Sequence, residues 1–169
     1  MNLETLNTLA QFIAAIGVIG SLFYLAAQIR QNTRSMRAVV VDSLAKSMGD
    51  IARPLAEQPS LAEGFAVAVE DWHGATDEQR RRVLFLLFAS FKLYENAWFQ
   101  NQQGTLTPEQ WAGWDALIRM YYHRPGVRTW WPMRSAAFAE GFRRYVETSE
   151  PVTGIAPISE LIHGRENQS

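Results

Sequence analysis

Leu6–Ile29, LNTLAQFIAAIGVIGSLFYLAAQI, runs for 24 residues without a charged side chain. Arg30, Arg34 and Arg37 follow at once, with no acid before Asp42. A helix rises about 1.5 Å per residue, and the apolar core of a bilayer is about 30 Å thick. The stretch is therefore long enough to cross a membrane with some tilt. Its polar members, Asn7, Thr8, Gln11, Ser21 and Gln28, lie mostly toward its ends. Tyr24 and Gln28 stand on the arginine side, where a phenol and an amide can reach lipid headgroups.

Two other readings compete. A cleaved signal peptide needs a basic segment ahead of the apolar run, and only Glu4 and the α-amino group are there. The run is also long for a signal and ends in no small-x-small cleavage site. A buried helix of a soluble bundle, apolar on every side, needs a thick protein shell. The 140 residues that follow are few for that task. A single transmembrane helix is the reading we carry forward.

Charge sets the expected orientation. All 16 Lys and Arg residues lie at or beyond Arg30. Basic flanks stay on the cytoplasmic side. The expected layout is a short extracytoplasmic tail, residues 1–5, and a span over 6–29. A cytoplasmic helical domain over 30–148 and a loosely ordered tail over 149–169 complete it. In a bacterium this is a single-pass protein of the inner membrane. The absence of cysteine agrees with a reducing compartment.

Beyond the span the pattern is all-α. Ile29, Thr33, Met36, Val40, Ser43 or Leu44, Ser47 and Ile51 recur every three or four residues, so the first helix should continue to about residue 53. Pro54 should end it, and Ser60 should cap a short helix from Leu61 to about Trp72. Thr76 and Gln79 form a capping box for a long helix reaching about Gln103, closed by Gly104. Val83–Phe91, VLFLLFASF, is too short to span and reads as the central core segment. Thr107, Pro108 and Gln110 open the next helix, which runs to about Tyr122. After the Pro125-Gly126 turn come a short helix, Val127–Trp131, and another from Ser135 to about Thr148. One docked turn around Ile158–Ile162 is expected in the tail. The fold expected is a long N-terminal transmembrane helix continuing into a small cytoplasmic helical bundle.

Three segments carry a resemblance. FYLAAQIRQNTRSMRA (Phe23–Ala38), YENAWFQNQQGTLTPEQWAGW (Tyr94–Trp114) and PGVRTWWPMR (Pro125–Arg134) are similar to a widespread group of short, uncharacterised proteobacterial proteins. These have one N-terminal span and a helical cytoplasmic domain. The likeness extends to about Val146 and rests on structural motifs. It implies the same architecture and brings no catalytic residues with it.

Few residues in the sequence fall into a pattern that carries chemistry. His73, His123 and His163 share no helical spacing, and no His-Glu-x-x-His motif occurs. There is no phosphate-binding glycine loop and no nucleophile elbow. No catalytic, cofactor-binding or metal-binding residue is assigned, and no cofactor is expected. Residues 30–169 carry 16 basic and 16 acidic side chains, a balance that argues against nucleic acid as a partner. The Arg80–Arg82 run reads as a solvated helix face.

Three features remain as candidates for interaction. Ala10, Ala14, Gly17 and Ser21 form a stripe of small residues suited to close helix packing in lipid. Glu95, after the apolar run, would need a partner if buried, and Arg119, Arg124 or Arg128 could supply one. Trp130 and Trp131, among interleaved arginines, are candidates for an aromatic interaction surface, although the spacing of Trp111, Trp114 and Ile118 favours core packing for the wider cluster. The function expected is a non-catalytic, membrane-tethered interaction or scaffold module that self-associates. An accessory subunit of a larger inner-membrane complex is the alternative, with an enzyme built around Glu95 third. The expected partners are the lipid bilayer and a second copy or another membrane protein.

Overall fold

The computed structural model describes residues 2–154, and every regular element among them is helical. The expected turn around Ile158–Ile162 lies outside the described residues, as does His163. The helices are α1 (Leu3–Glu57), α2 (Pro59–Glu70), α3 (Asp77–Gln102), α4 (Pro108–Tyr122), α5 (Pro125–Trp130) and α6 (Glu140–Glu147). Two single 3₁₀ turns, Trp131–Met133 and Ser135–Ala137, stand between α5 and α6. The chain divides into two units, residues 1–40 and 41–169.

Local chemistry sets most boundaries. The Thr76 hydroxyl accepts the Gln79 N–H at 3.2 Å, and the Gln79 amide oxygen accepts the Thr76 N–H at 2.8 Å. Thr107 and Gln110 repeat the arrangement at 3.2 and 2.9 Å, with Pro108 supplying the first helical residue of α4. Each box satisfies donors that a helix start would leave unpaired. Gly104 adopts φ +68°, the left-handed conformation that a residue with a Cβ resists.

Four boundaries differ from expectation, one being α5, which starts at Pro125 inside the expected Pro125-Gly126 turn. α1 passes through Pro54 and runs one turn further, to Glu57. Proline removes only its own N–H from the ladder, and the Pro54 carbonyl still accepts the Gln58 N–H at 3.0 Å. α2 starts at Pro59 with Gln58 at the cap, so Ser60 lies inside the helix. Proline's preset φ and missing donor suit the first helical position. The helix expected from Ser135 is broken at Phe138, which is extended (φ −110°, ψ 154°), and α6 begins only at Glu140.

The core of the second unit is built around α3. Val83, Leu87, Phe91 and Tyr94 follow one another at helical spacing, and all are buried. Phe91 lies 5.3 Å from the Trp131 ring, 5.4 Å from Trp130 and 5.3 Å from Tyr94, centroid to centroid. Trp131 stacks on Phe138 at 5.0 Å. Ile118 and Tyr122 of α4 and Phe142 and Val146 of α6 complete the cluster. Full burial of each large apolar side chain stabilises by roughly 1.5–3 kcal/mol, and aromatic pairing adds about 0.5–1.5 kcal/mol.

α2 and α5 meet backbone to backbone. A Cβ added at Gly126 would lie 2.0 Å from the Ala68 carbonyl oxygen and 2.8 Å from the Val69 carbonyl carbon. Gly126→Ala is therefore expected to destabilise by about 1–3 kcal/mol or more, since rigid backbone must yield. Gly113, in the exposed interior of α4, has nothing within 4 Å of an added Cβ. Gly113→Ala should instead stabilise by up to about 1 kcal/mol through helix propensity. Thermal unfolding of the two variants, followed by tryptophan fluorescence, should move the midpoint in opposite directions.

Candidate functional site

In the first unit, the side chains from Phe12 to Ile29 that can be described are exposed. Phe23 reaches 74%, and Ile13, Ile16, Val18, Ile19, Leu22 and Leu25 are each more than half exposed. At 100° per residue these positions cover about two thirds of the helix circumference, and the remaining sector carries Gly17, Ser21 and Gln28 but no charged residue. One helix among the described residues is long and apolar enough to cross a membrane, and it is α1 from Gln11 onward. Gly17 and Ser21 are exposed one turn apart, and the Ser21 hydroxyl donates to the Gly17 carbonyl at 2.9 Å. A Cβ at Gly17 would meet nothing within 4 Å. Ala10 and Ala14 continue the stripe by position, but their side chains lie outside the described ones. Arg30, Arg34 and Arg37 are exposed and, four and three residues apart, share one side of the helix.

In the second unit, Glu95 is buried, at 8% exposure. Its partner is none of the arginines proposed from the sequence. Lys92 Nζ donates to Glu95 Oε2 at 2.8 Å, and the Ala139 N–H donates to Oε1 at 2.6 Å. Lys92 Nζ also donates to the Ala137 carbonyl at 2.7 Å and lies 4.6 Å from the centre of the Phe138 ring. The pair thus grips the chain on both sides of Phe138. A Lys-x-x-Glu pair on one helix is visible in the sequence. Its target, an extended peptide more than 40 residues later, is not.

Each arginine has other work. Arg119 forms an ion pair with Asp115 at 2.7 Å and donates to the Glu150 carbonyl at 3.2 Å. Asp115 also accepts the Tyr145 hydroxyl at 2.5 Å, joining α4 to α6. Arg124 reaches Glu70 at 3.1 Å, the pair being mostly buried. The Arg128 guanidinium lies 5.1 Å from the Tyr122 ring centre. Of the Arg80–Arg82 run, only Arg81 and Arg82 form an exposed face. Arg80 is half-buried and donates to the carbonyls of Trp72, His73 and Ala75 at 3.3, 3.2 and 2.6 Å, while pairing with Asp77.

Trp130 and Trp131 are not a surface. They are 0% and 3% exposed and form the centre of the aromatic core. Trp131 Nε1 donates to Glu147 at 2.9 Å, whereas Trp130 Nε1 is buried without a partner. The short apolar run around them has no period from which burial could be read. Trp111 and Trp114 are half-buried against the same core. The exposed large apolar side chains of the second unit are instead Phe85, Phe99, Val67 and Met133.

His123 Nε2 lies 3.1 Å from the Ser149 hydroxyl. That hydroxyl donates to the Val146 carbonyl at 2.7 Å, so its proton is committed away from the imidazole. Burial, then the Arg128 charge, lowers the His123 pKa and favours the neutral ring. The contact ties the end of α4 to the segment after α6 and does not activate a nucleophile. Among the described residues, no group of three or more His, Asp or Glu side chains could hold a metal ion. No family model, curated protein or solved structure matches the chain.

Removing the Glu95 carboxylate should loosen the segment before α6. Lys92 is 39% exposed at its side chain, so its charge can turn to water when the partner is lost. Glu95→Ala should then cost about 1–3 kcal/mol, chiefly for the abandoned Ala139 N–H. Glu95→Gln, which keeps an acceptor for that N–H, should cost less. Equal and negligible shifts of the unfolding midpoint in both variants would mean that the grip contributes nothing.

Proposed function

We propose that this chain is a non-catalytic interaction or scaffold module, tethered to the bacterial inner membrane by a single helix and self-associating through it. The observation that carries the reading is the exposure of large apolar side chains around most of α1 between Phe12 and Ile29, with no charged residue on the rest and three arginines directly after. Water does not tolerate such a surface, whereas hydrocarbon does. The N-terminus then faces outward and the domain after Arg30 is cytoplasmic. The likeness to short proteobacterial proteins supports the same layout. The engagement of both Glu95 oxygens by Lys92 and Ala139 supports a structural role for that carboxylate over a catalytic one. No cofactor or nucleic acid enters the proposal.

Alkaline carbonate should leave the protein in the membrane pellet. A C-terminal fluorescent-protein fusion should glow, and a C-terminal periplasmic phosphatase fusion should stay inactive. Release by carbonate, or phosphatase activity, defeats the topology.

Self-association is assigned to the stripe of Ala10, Ala14, Gly17 and Ser21, where small side chains let two backbones approach. Its alternative, an accessory subunit in a larger inner-membrane complex, places a different helix on the same stripe. Gly17→Ile adds bulk into open space, so it leaves the helix itself intact. In a membrane two-hybrid assay of the full chain it should weaken association by about 1–2 kcal/mol. Ile19→Leu, off the stripe, should have no effect. An unchanged signal for Gly17→Ile rejects the stripe as the contact between copies.

A further inference from the structure

The outer face of α3 joins exposed apolar surface to uncompensated positive charge. Arg81, Phe85, Phe88 and Lys92 follow one another four, three and four residues apart, so they form one stripe about 16 Å long. Phe85 is 72% exposed, more than any other described large apolar side chain of the second unit, and Ala89 one turn later is exposed as well. Arg81 is exposed and enters no ion pair among the described residues. The acids on this side of α3 are already engaged, Glu78 by Arg82 at 2.6 Å and Glu95 by Lys92 at 2.8 Å. At the far end of the stripe Lys92 donates to the Ala137 carbonyl. Arg134, one turn before Ala137, is exposed and likewise outside any ion pair among the described residues. Beside Arg81 lies an open depression of about 280 Å³, floored by Trp72 and Leu84 and edged by Asp77, Arg80 and Arg81. Arg80 is held by Asp77 and three carbonyls, so Arg81 is the cation left there for an incoming anion.

We propose that this face of α3 docks on an anionic lipid surface, with Phe85 entering the boundary between headgroups and acyl chains and Arg81 and Arg134 pairing with lipid phosphates. The proposal rests on the tethered layout above and adds to it a second contact that selects for lipid charge. Charge complementarity names the occupant: a phenyl ring between cations that no acid offsets suits negative headgroups lying over hydrocarbon. The arginine fork matches a phosphate, and its long stem lets the guanidinium stay at headgroup level while the ring goes deeper. Shape agrees with a lipid occupant, because fluid lipid follows the convex side of a helix. A stable protein interface buries about 1,200–2,000 Å², which one short stripe does not supply. A weak contact is enough here, since the tether holds the domain at high effective concentration beside the leaflet.

The chain has no cysteine, so a single introduced cysteine can carry a nitroxide label in the full chain. Ala89→Cys reports on the face, Gly113→Cys on α4 and Ile19→Cys on the span. Each is placed in nanodiscs of phosphatidylcholine, and in nanodiscs with a third of that lipid replaced by phosphatidylglycerol. Power-saturation paramagnetic resonance compares collisions with oxygen, which concentrates in lipid, and with a nickel chelate, which stays in water. The Ala89 label should gain oxygen and lose nickel in the anionic discs only, and high salt should reverse the change. The Gly113 label should stay in water in both. Arg81→Gln should lower the ratio of docked to undocked domain about fivefold, and Phe85→Ser about tenfold. Both replace exposed side chains, so the unfolding midpoint should stay in place. An Ala89 label in water in both discs, with the Ile19 label in lipid, overturns the docking and keeps the tether. An Ile19 label in water overturns the tethered layout and the docking with it. Loss of both oxygen and nickel access at Ala89 marks a protein contact and overturns the lipid assignment. Equal immersion in the two kinds of disc overturns the recognition of charge.

Discussion

The architecture after α5 depends on one grip: Lys92 and Glu95 of α3 holding the peptides on either side of Phe138. Left to its local sequence, the chain from Ser135 onward reads as one helix. Glu95 accepts the Ala139 N–H and Lys92 covers the Ala137 carbonyl, so the backbone stays extended at Phe138 with its polar groups satisfied. The extended residue drops its ring onto Trp131 and beneath the Lys92 ammonium. α6 can then start at Glu140, with Phe142 and Val146 facing the core. A charge-assisted contact is needed because a neutral one gains less against water.

α1 is one helix under two sets of rules. Up to Val39 its described large apolar side chains are open to the surroundings. After Val41 it follows ordinary amphipathic logic, with Leu44 buried and Asp42, Lys46 and Asp50 exposed. Propensity alone could extend a helix through both, since no proline interrupts before Pro54. Composition distinguishes the halves: an uncharged run is followed by arginines and then by a normal mixture.

What could be read from the sequence was local. The two capping boxes and the left-handed glycine each rest on residues within a few positions of one another, and α3 and α4 begin where those signals put them. The core role of Val83–Phe91 was legible from length and apolarity, although Phe85 points outward at 72% exposure. What failed was non-local. Glu95 is a partial exception: its cation, Lys92, sits three residues away on the same helix, and only its second partner, the Ala139 N–H, is distant in sequence. Trp130 and Trp131 looked like a surface because nothing within their short segment says which side α3 approaches.

The seam between Gly126 and the carbonyl of Ala68 has a mechanical meaning. Most helix contacts pass through side chains, which rotate and absorb small displacements. Here main chain touches main chain, and close-packed interiors transmit strain instead of dissipating it. α2 and α5 therefore behave as one stiff piece, with Trp130 at its far end against Phe91. A displacement of α2 meets α5 through main chain, with no rotatable side chain between them at this seam.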